Sequence, residues 1–193
     1  MAKLYFKYGA MGSSKTAQAL ITKFNYEERG MRVLLVKPAT DTRDGEGALI
    51  SRVGLSSDCR LVSDGESLLD IFLSEEPRAD VIIADESQFF SPSQIDELRL
   101  IVDEYSVPAL CFGLRTDFTT RLFPGSARLF EVADSIAEIK TICSCGAKAT
   151  VNARLGQNSR VLRHGARILI GGNEKYIAMC HRCYRRALKE SEE

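Results

Sequence analysis

Gly9-Ala10-Met11-Gly12-Ser13-Ser14-Lys15-Thr16 constrains this chain more than any other stretch. Before it, Leu4-Tyr5-Phe6-Lys7-Tyr8 reads as a buried strand, and after it, Ala17-Gln18-Ala19-Leu20-Ile21 reads as a helix. A tight loop between a strand and a helix turns several backbone N–H groups toward one spot. The helix adds its own unbonded N–H groups and the positive end of its dipole. Closed by Lys15-Thr16, this is the setting of a phosphate-binding loop. Lys15 is expected to reach the β- and γ-phosphates of a nucleotide, and the Thr16 hydroxyl to bind Mg²⁺. The pattern G-x-x-x-x-G-K-[ST] has glycine directly before the lysine, and here Ser14 stands there. If the position is left-handed, a serine costs roughly 1–2 kcal/mol. The alternative is an ordinary Gly/Ser-rich turn before a helix.

A second stretch answers the first. In Asp80-Val81-Ile82-Ile83-Ala84-Asp85-Glu86, four apolar residues run into two acids. In an open α/β sheet such a strand delivers carboxylates to the carboxyl edge, where ligands sit. Asp85 is expected to hold Mg²⁺ opposite Thr16, and Glu86 to stand near the γ-phosphate of ATP as a base. Alone, the pair would read as a solvated acidic turn. Behind a phosphate loop, in this order, it reads as phosphoryl-transfer machinery.

The remaining elements fit one architecture. Val33-Leu34-Leu35-Val36, Leu61-Val62 and Val107 to Gly113 read as strands, and Glu66 to Leu73 and Ser91-Pro92 to Tyr105 as helices. The fold class is α/β: a P-loop NTPase-like parallel sheet with helices on both faces. Asp41 to Gly54 reads as a polar loop carrying Asp41, Arg43, Asp44 and Arg52, either functional or merely solvated. In Leu114 to Gly125, aromatics alternate with cations, which suits a pocket for an aromatic, phosphorylated ligand.

Of 193 residues 45% are hydrophobic, enough for a core, and 26 Lys+Arg balance 26 Asp+Glu. That balance argues against a nucleic-acid partner. No apolar run is long enough to span a membrane and no signal-peptide pattern opens the chain, so the expected location is cytoplasmic. In that compartment six cysteines argue for metal or core roles. Cys59 and Cys111 read as small core residues. Cys143-Ser144-Cys145 and Cys180-His181-Arg182-Cys183 form two close pairs, which read as a structural four-thiolate Zn²⁺ site. Two features depart from the usual zinc ribbon, the C-x-C first pair and the 34-residue gap between the pairs (146–179), and His181 is also able to replace a thiolate. The composition changes near residue 141, giving a nucleotide-binding kinase domain at 1–140 and a zinc-binding domain at 141–193.

Taken together, these residues resemble the thymidine kinases shared by many bacteria and animal cytosol. The resemblance is carried by the phosphate loop with Met11, Asp41-Thr42-Arg43, Asp85-Glu86-Ser87-Gln88-Phe89-Phe90, and Gly113-Leu114-Arg115-Thr116-Asp117-Phe118. It continues through Phe123-Pro124-Gly125, Ile170-Gly171-Gly172 with Lys175-Tyr176, and the cysteine pairs, in family order and over essentially the whole chain. It implies transfer of the γ-phosphate of ATP to the 5′-hydroxyl of thymidine or deoxyuridine. It implies a lasso loop on the zinc domain that closes over the nucleoside. Glu86 matches the catalytic base and Arg43 an arginine near the phosphates. Gly9, Ala10, Met11, Gly12, Ser13, Ser14, Lys15 and Thr16, with Asp85, Glu86, Ser87 and Gln88, fall in the ATP-binding segments. Met11, Asp41, Arg43, Phe89, Leu114, Phe118, Phe123 and Tyr176 fall on the nucleoside side, with the lasso residues Ile168, Leu169, Ile170, Gly171 and Gly172. Family members are usually homotetramers inhibited by thymidine triphosphate. This chain departs at Ser14 and at the C-x-C pair.

Other classes fit less well. A helicase needs two such domains and a basic track. A GTPase needs an Asn-Lys-x-Asp reader, and none of Asn25, Asn152, Asn158 and Asn173 begins one. A zinc-ribbon nucleic-acid module wants basic and aromatic residues around the cysteines. The tail offers Arg182, Arg185, Arg186 and Lys189 on a helix that also faces solvent.

Overall fold

Strands with apolar residues on both faces have to be covered on both, and this requirement shapes the molecule. The computed structural model describes all residues except 42–44, 46, 167–174 and 192–193. In chain order it runs β1 (Leu4–Tyr8), α1 (Lys15–Glu27), β2 (Val33–Pro38), β3 (Ala48–Ile50), β4 (Ser56–Asp58), β5 (Arg60–Val62) and α2 (Leu68–Ser74). It continues with β6 (Val81–Ala84), α3 (Pro92–Tyr105), β7 (Ala109–Gly113), α4 (Pro124–Val132) and β8 (Ser135–Glu138). Six of these strands form one parallel sheet in the order β5-β2-β6-β7-β1-β8. On one face, Phe6, Leu34, Val36, Ile82, Ala84 and Cys111 pack under α2, α3 and α4. On the other, Leu35, Ile83, Leu110 and Phe112 pack against Ala19 and Leu20 of α1. The sheet is therefore α/β with helices on both faces, as the strand composition requires.

The order places β7 between β1 and β6. The register pairs Tyr8 with Gly113 and Ala84 with Cys111, so β1 and β7 end level and β6 ends two residues earlier at the same edge. Three loops are thereby delivered to one edge: Gly9 to Ser14, Asp85 onward, and Leu114 onward. The helix starts follow local rules. α3 opens with a capping box, the Ser91 side chain accepting from Gln94 N–H and the Gln94 side chain from Ser91 N–H, with Pro92 in its first turn.

Two segments differ from the sequence reading. Residues 41–54 are not loop throughout. β3 pairs with β4 as an antiparallel hairpin, because Leu49 is 1% exposed and joins the core beside α1. Phe123-Pro124-Gly125 is not simply loop either. Pro124 sits in the first turn of α4, a position with no N–H to lose.

Beyond the sheet come β9 (Thr141–Ile142) paired with β10 (Lys148–Ala149), β11 (Val151–Arg154) paired with β12 (Tyr176–Met179), and α5 (His181–Glu190). No described helix is long and apolar enough to cross a membrane.

Candidate functional site

The loop after β1 carries its sharpest bend where the sequence departs from glycine. Ser14 stands at φ 61°, ψ 29°, left-handed, next to Gly12 at φ 74°. The serine is therefore strained as the sequence reading anticipated. Its C=O already accepts from Gln18 N–H, while its side chain makes no cap. The opening turn of α1 then lines a cleft of about 200 Å³. Gly12, Ser14, Lys15, Thr16 and Ala17 form one wall, Asp85 and Glu86 a second, and Asp41 with residues 49–53 of the hairpin a third.

Lys15 is buried and folds over its own loop. Its Nζ donates to Gly9 O at 3.2 Å, Ala10 O at 3.0 Å and Ser13 Oγ at 3.4 Å. Across the cleft, Thr16 Oγ1 donates to Asp85 Oδ2 at 2.7 Å. Asp85 Oδ1 is buried and has no hydrogen-bond partner among the described residues. Burial, and next the adjoining Glu86 carboxylate, push Asp85 up to about 7. A buried carboxylate oxygen without a donor, beside a hydroxyl that can coordinate, is the chemistry of a divalent-cation site. The residues fit Mg²⁺.

Glu86 is 8% exposed and left-handed at φ 48°, ψ 34°. Its Oε2 accepts from Gln88 Nε2 at 2.6 Å. Ser87 and Gln88, expected among the phosphate contacts, do not line the cleft. They turn inward, Ser87 Oγ donating to Phe112 O and Gln88 Oε1 accepting from Leu114 N–H. Asp41, expected on the nucleoside side, lines the same cleft as Lys15 and Thr16, with Lys37 Nζ 3.8 Å away and both side chains buried.

The aromatic residues do not line this cleft. Phe89 and Phe123 meet edge to face at 5.5 Å, and Phe118 is 1% exposed. Arg154 of β11 stacks its guanidinium over Phe118 at 3.9 Å and donates to Tyr176 Oη at 3.0 and 2.6 Å. Asn152, two residues back on the same face, accepts from Met11 N–H at 2.7 Å and donates to Thr116 O at 3.2 Å. Sequence reasoning found neither residue. In Val151-Asn152-Ala153-Arg154, polar alternation reads as a solvated face, yet all four are buried. Arg43, Ile168, Leu169, Ile170, Gly171 and Gly172 lie outside the described residues.

The four cysteines of the two pairs converge. Their sulfurs all lie within 4.8 Å of one another, with Cys145 Sγ 3.7 Å from Cys180 Sγ. A tetrahedron with Zn–S bonds of about 2.3 Å has edges of roughly 3.8 Å, so the donor set fits Zn²⁺. C-x-C suffices because the chain turns tightly, Gly146 N–H donating to Cys143 O. Cys180 caps α5, its sulfur accepting from Cys183 N–H, and that backbone bond is the main cause holding its thiol below the usual value. His181 is exposed and is not part of the cluster.

Comparison with known proteins agrees over the whole chain. A family model described as "Thymidine kinase" matches residues 2–184. A thymidine kinase of Yersinia pseudotuberculosis is 46% identical over 98% of this chain and 97% of its own length. That of Zymomonas mobilis is 45% identical over 94% of this chain and 95% of its own. That of Salmonella typhimurium is 42% identical over 98% and 94%. Among solved structures, a Bacteroides Pif1 helicase bound to ssDNA covers 71% of this chain and 38% of its own at 19% identity. Its TM-score of 0.41 is too slight a likeness to bear on fold or function.

Proposed function

The chain belongs to the thymidine kinase family, and from that premise we propose how its residues divide the work of moving the γ-phosphate of ATP to the 5′-hydroxyl of thymidine. The observation that carries the assignment is the meeting of Lys15, Thr16, Asp85 and Glu86 in one cleft at the carboxyl edge of the sheet. Phosphoryl transfer asks for positioning, charge neutralisation and one acceptor for the hydroxyl proton.

Backbone N–H groups at the start of α1 and the Lys15 ammonium hold the phosphates. Thr16 and Asp85 would hold Mg²⁺, which when bound neutralises charge on the β- and γ-phosphates. Arg43 adds a cation to the same group. Glu86 takes the proton of the 5′-hydroxyl as its oxygen bonds to the γ-phosphorus. The bond from that phosphorus to the bridging oxygen breaks, and ADP leaves with the electron pair. Phe118, Leu114, Phe89, Phe123 and Tyr176, with Met11 and the segment from Ile168 to Gly172, enclose the nucleoside and keep water from the phosphate. Cys143, Cys145, Cys180 and Cys183 would hold one structural Zn²⁺, since four thiolates leave no open position for chemistry.

Deoxyuridine is a second substrate on this reading, thymidine triphosphate a feedback inhibitor, and the working form a cytoplasmic homotetramer acting on free nucleosides. These follow the family resemblance. The test is a panel of nucleosides with ATP and Mg²⁺, products identified by mass. Thymidine monophosphate is expected, with kcat about 10²–10⁴-fold lower in Glu86→Gln and ATP binding retained. Near-normal turnover in that variant would remove Glu86 from the role of base.

A further inference from the structure

Gln88 lies outside the phosphate cleft, yet its carboxamide joins two parts of the site. Nε2 donates to Glu86 Oε2 at 2.6 Å, and Oε1 accepts from Leu114 N–H at 2.9 Å. A backbone N–H only donates, so Oε1 has to face Leu114 and Nε2 has to face Glu86. Turning the amide over would set N–H against N–H. At 1% exposure, there is no room for water to take over either bond.

The turn that carries Gln88 is wedged in place. Ser87 Oγ donates to Phe112 O at 2.8 Å. A Cβ on Gly113 would stand 2.8 Å from Gln88 Oε1 and from Ser87 Oγ, and one on Gly125 would stand 2.5 Å from Phe90 O. Both glycines are there for close approach. Glu86 holds its left-handed backbone in this frame, a conformation kept only where the surroundings over-determine it. Leu114 is fixed on its other side too, its C=O accepting from Ser126 Oγ at 2.5 Å.

We propose that Gln88 is a positioning residue for phosphoryl transfer: it aims the Glu86 carboxylate through Oε2 and registers it to the Leu114 peptide. This rests on Glu86 being the base and Leu114 a nucleoside contact. A nucleoside seated against Leu114 then meets a base whose place is set from the same peptide. Misplacement of a reacting group by an ångström costs on the order of 10²-fold in rate, which is the scale on which such a tie acts.

Steady-state kinetics of the full-length enzyme with Mg²⁺, ATP and thymidine test it. Gln88→Met keeps length and bulk but neither donates nor accepts. Gln88→Glu keeps an acceptor for Leu114 and loses the donor to Glu86. Both are expected to lower kcat about 10–100-fold, with both KM values within about threefold. In a Glu86→Gln background, Gln88→Met is expected to add nothing, because a positioning residue acts only through the group it positions. Near-wild-type kcat in Gln88→Glu, additive losses in the double variant, or a joint rise of both KM values with a lower melting temperature would overturn the proposal. A wild-type enzyme that phosphorylates no nucleoside would instead overturn the function on which it rests.

Discussion

Thr16 Oγ1 donates to Asp85 Oδ2 across 2.7 Å, tying the first turn of α1 to the end of β6 although β1 and β6 are not neighbours in the sheet. The other Asp85 oxygen has no donor among the described residues, and burial lifts the acid from its usual 3.8 to about 7. An acid raised in the folded state stabilises the fold fully below its unfolded pKa, and that contribution disappears as pH rises through the folded value. In EDTA, melting temperature is therefore expected to fall from about pH 4 to about pH 7 more steeply in the wild type than in Asp85→Asn. Excess Mg²⁺ is expected to flatten the wild-type slope. Parallel slopes in EDTA would show that Asp85 is not the titrating group.

Ser14 is the second test. A left-handed non-glycine residue costs roughly 1–2 kcal/mol, and the extra freedom of glycine in the unfolded chain returns about 0.4–1 kcal/mol of that. Ser14→Gly is expected to stabilise the protein by roughly 0.5–1 kcal/mol, read as a melting temperature higher by a few degrees. A lower melting temperature would mean that the Ser14 side chain contributes more than its backbone loses.

Much of the site was legible because its chemistry is local in sequence. The phosphate loop, Asp85-Glu86 and the cysteine pairs are runs of a few residues whose spacing is set by one turn or one strand. What stayed hidden depended on distant partners. Leu49 pulls a hairpin out of a polar loop because it finds Ala19 and Leu20. The resemblance put Gln88 in an ATP-binding segment, and the direction of its side chain is decided by Leu114, 26 positions away. Asn152 and Arg154 alternate with apolar residues as a solvated strand would. Partners distant in sequence bury that face: Met11 and Thr116 against Asn152, Phe118 and Tyr176 against Arg154.

Arg154 carries the third expectation. Its guanidinium covers Phe118 and donates twice to Tyr176 Oη, so it fixes two of the residues proposed to enclose the nucleoside. Arg154→Met is expected to raise KM for thymidine at least tenfold, the equivalent of about 1.4 kcal/mol, with KM for ATP changed less than about threefold. Arg154→Lys should fall between, since an ammonium lacks the planar fork. Equal movement of both KM values would make the residue scaffold.

Zinc is the fourth. Protein purified without a metal-binding tag is expected to contain about one zinc per chain. Cys180→Ser is expected to lower zinc content and melting temperature together, because that residue is both thiolate and cap of α5. Active, fully reduced enzyme without zinc would remove the metal from the account.

Asn152 has a bearing on how such an enzyme can be altered. Its amide holds Met11 N–H in the phosphate loop and Thr116 O in the loop after β7, from a strand that lies beyond the central sheet. The phosphate loop is therefore not a self-contained cassette. A fragment ending before β11 would leave the Met11 N–H without its acceptor. A graft that replaces β11 would remove the same acceptor from Met11 N–H. On the proposed division of work, a change at Asn152 is therefore felt in two loops at once, the one after β1 and the one after β7.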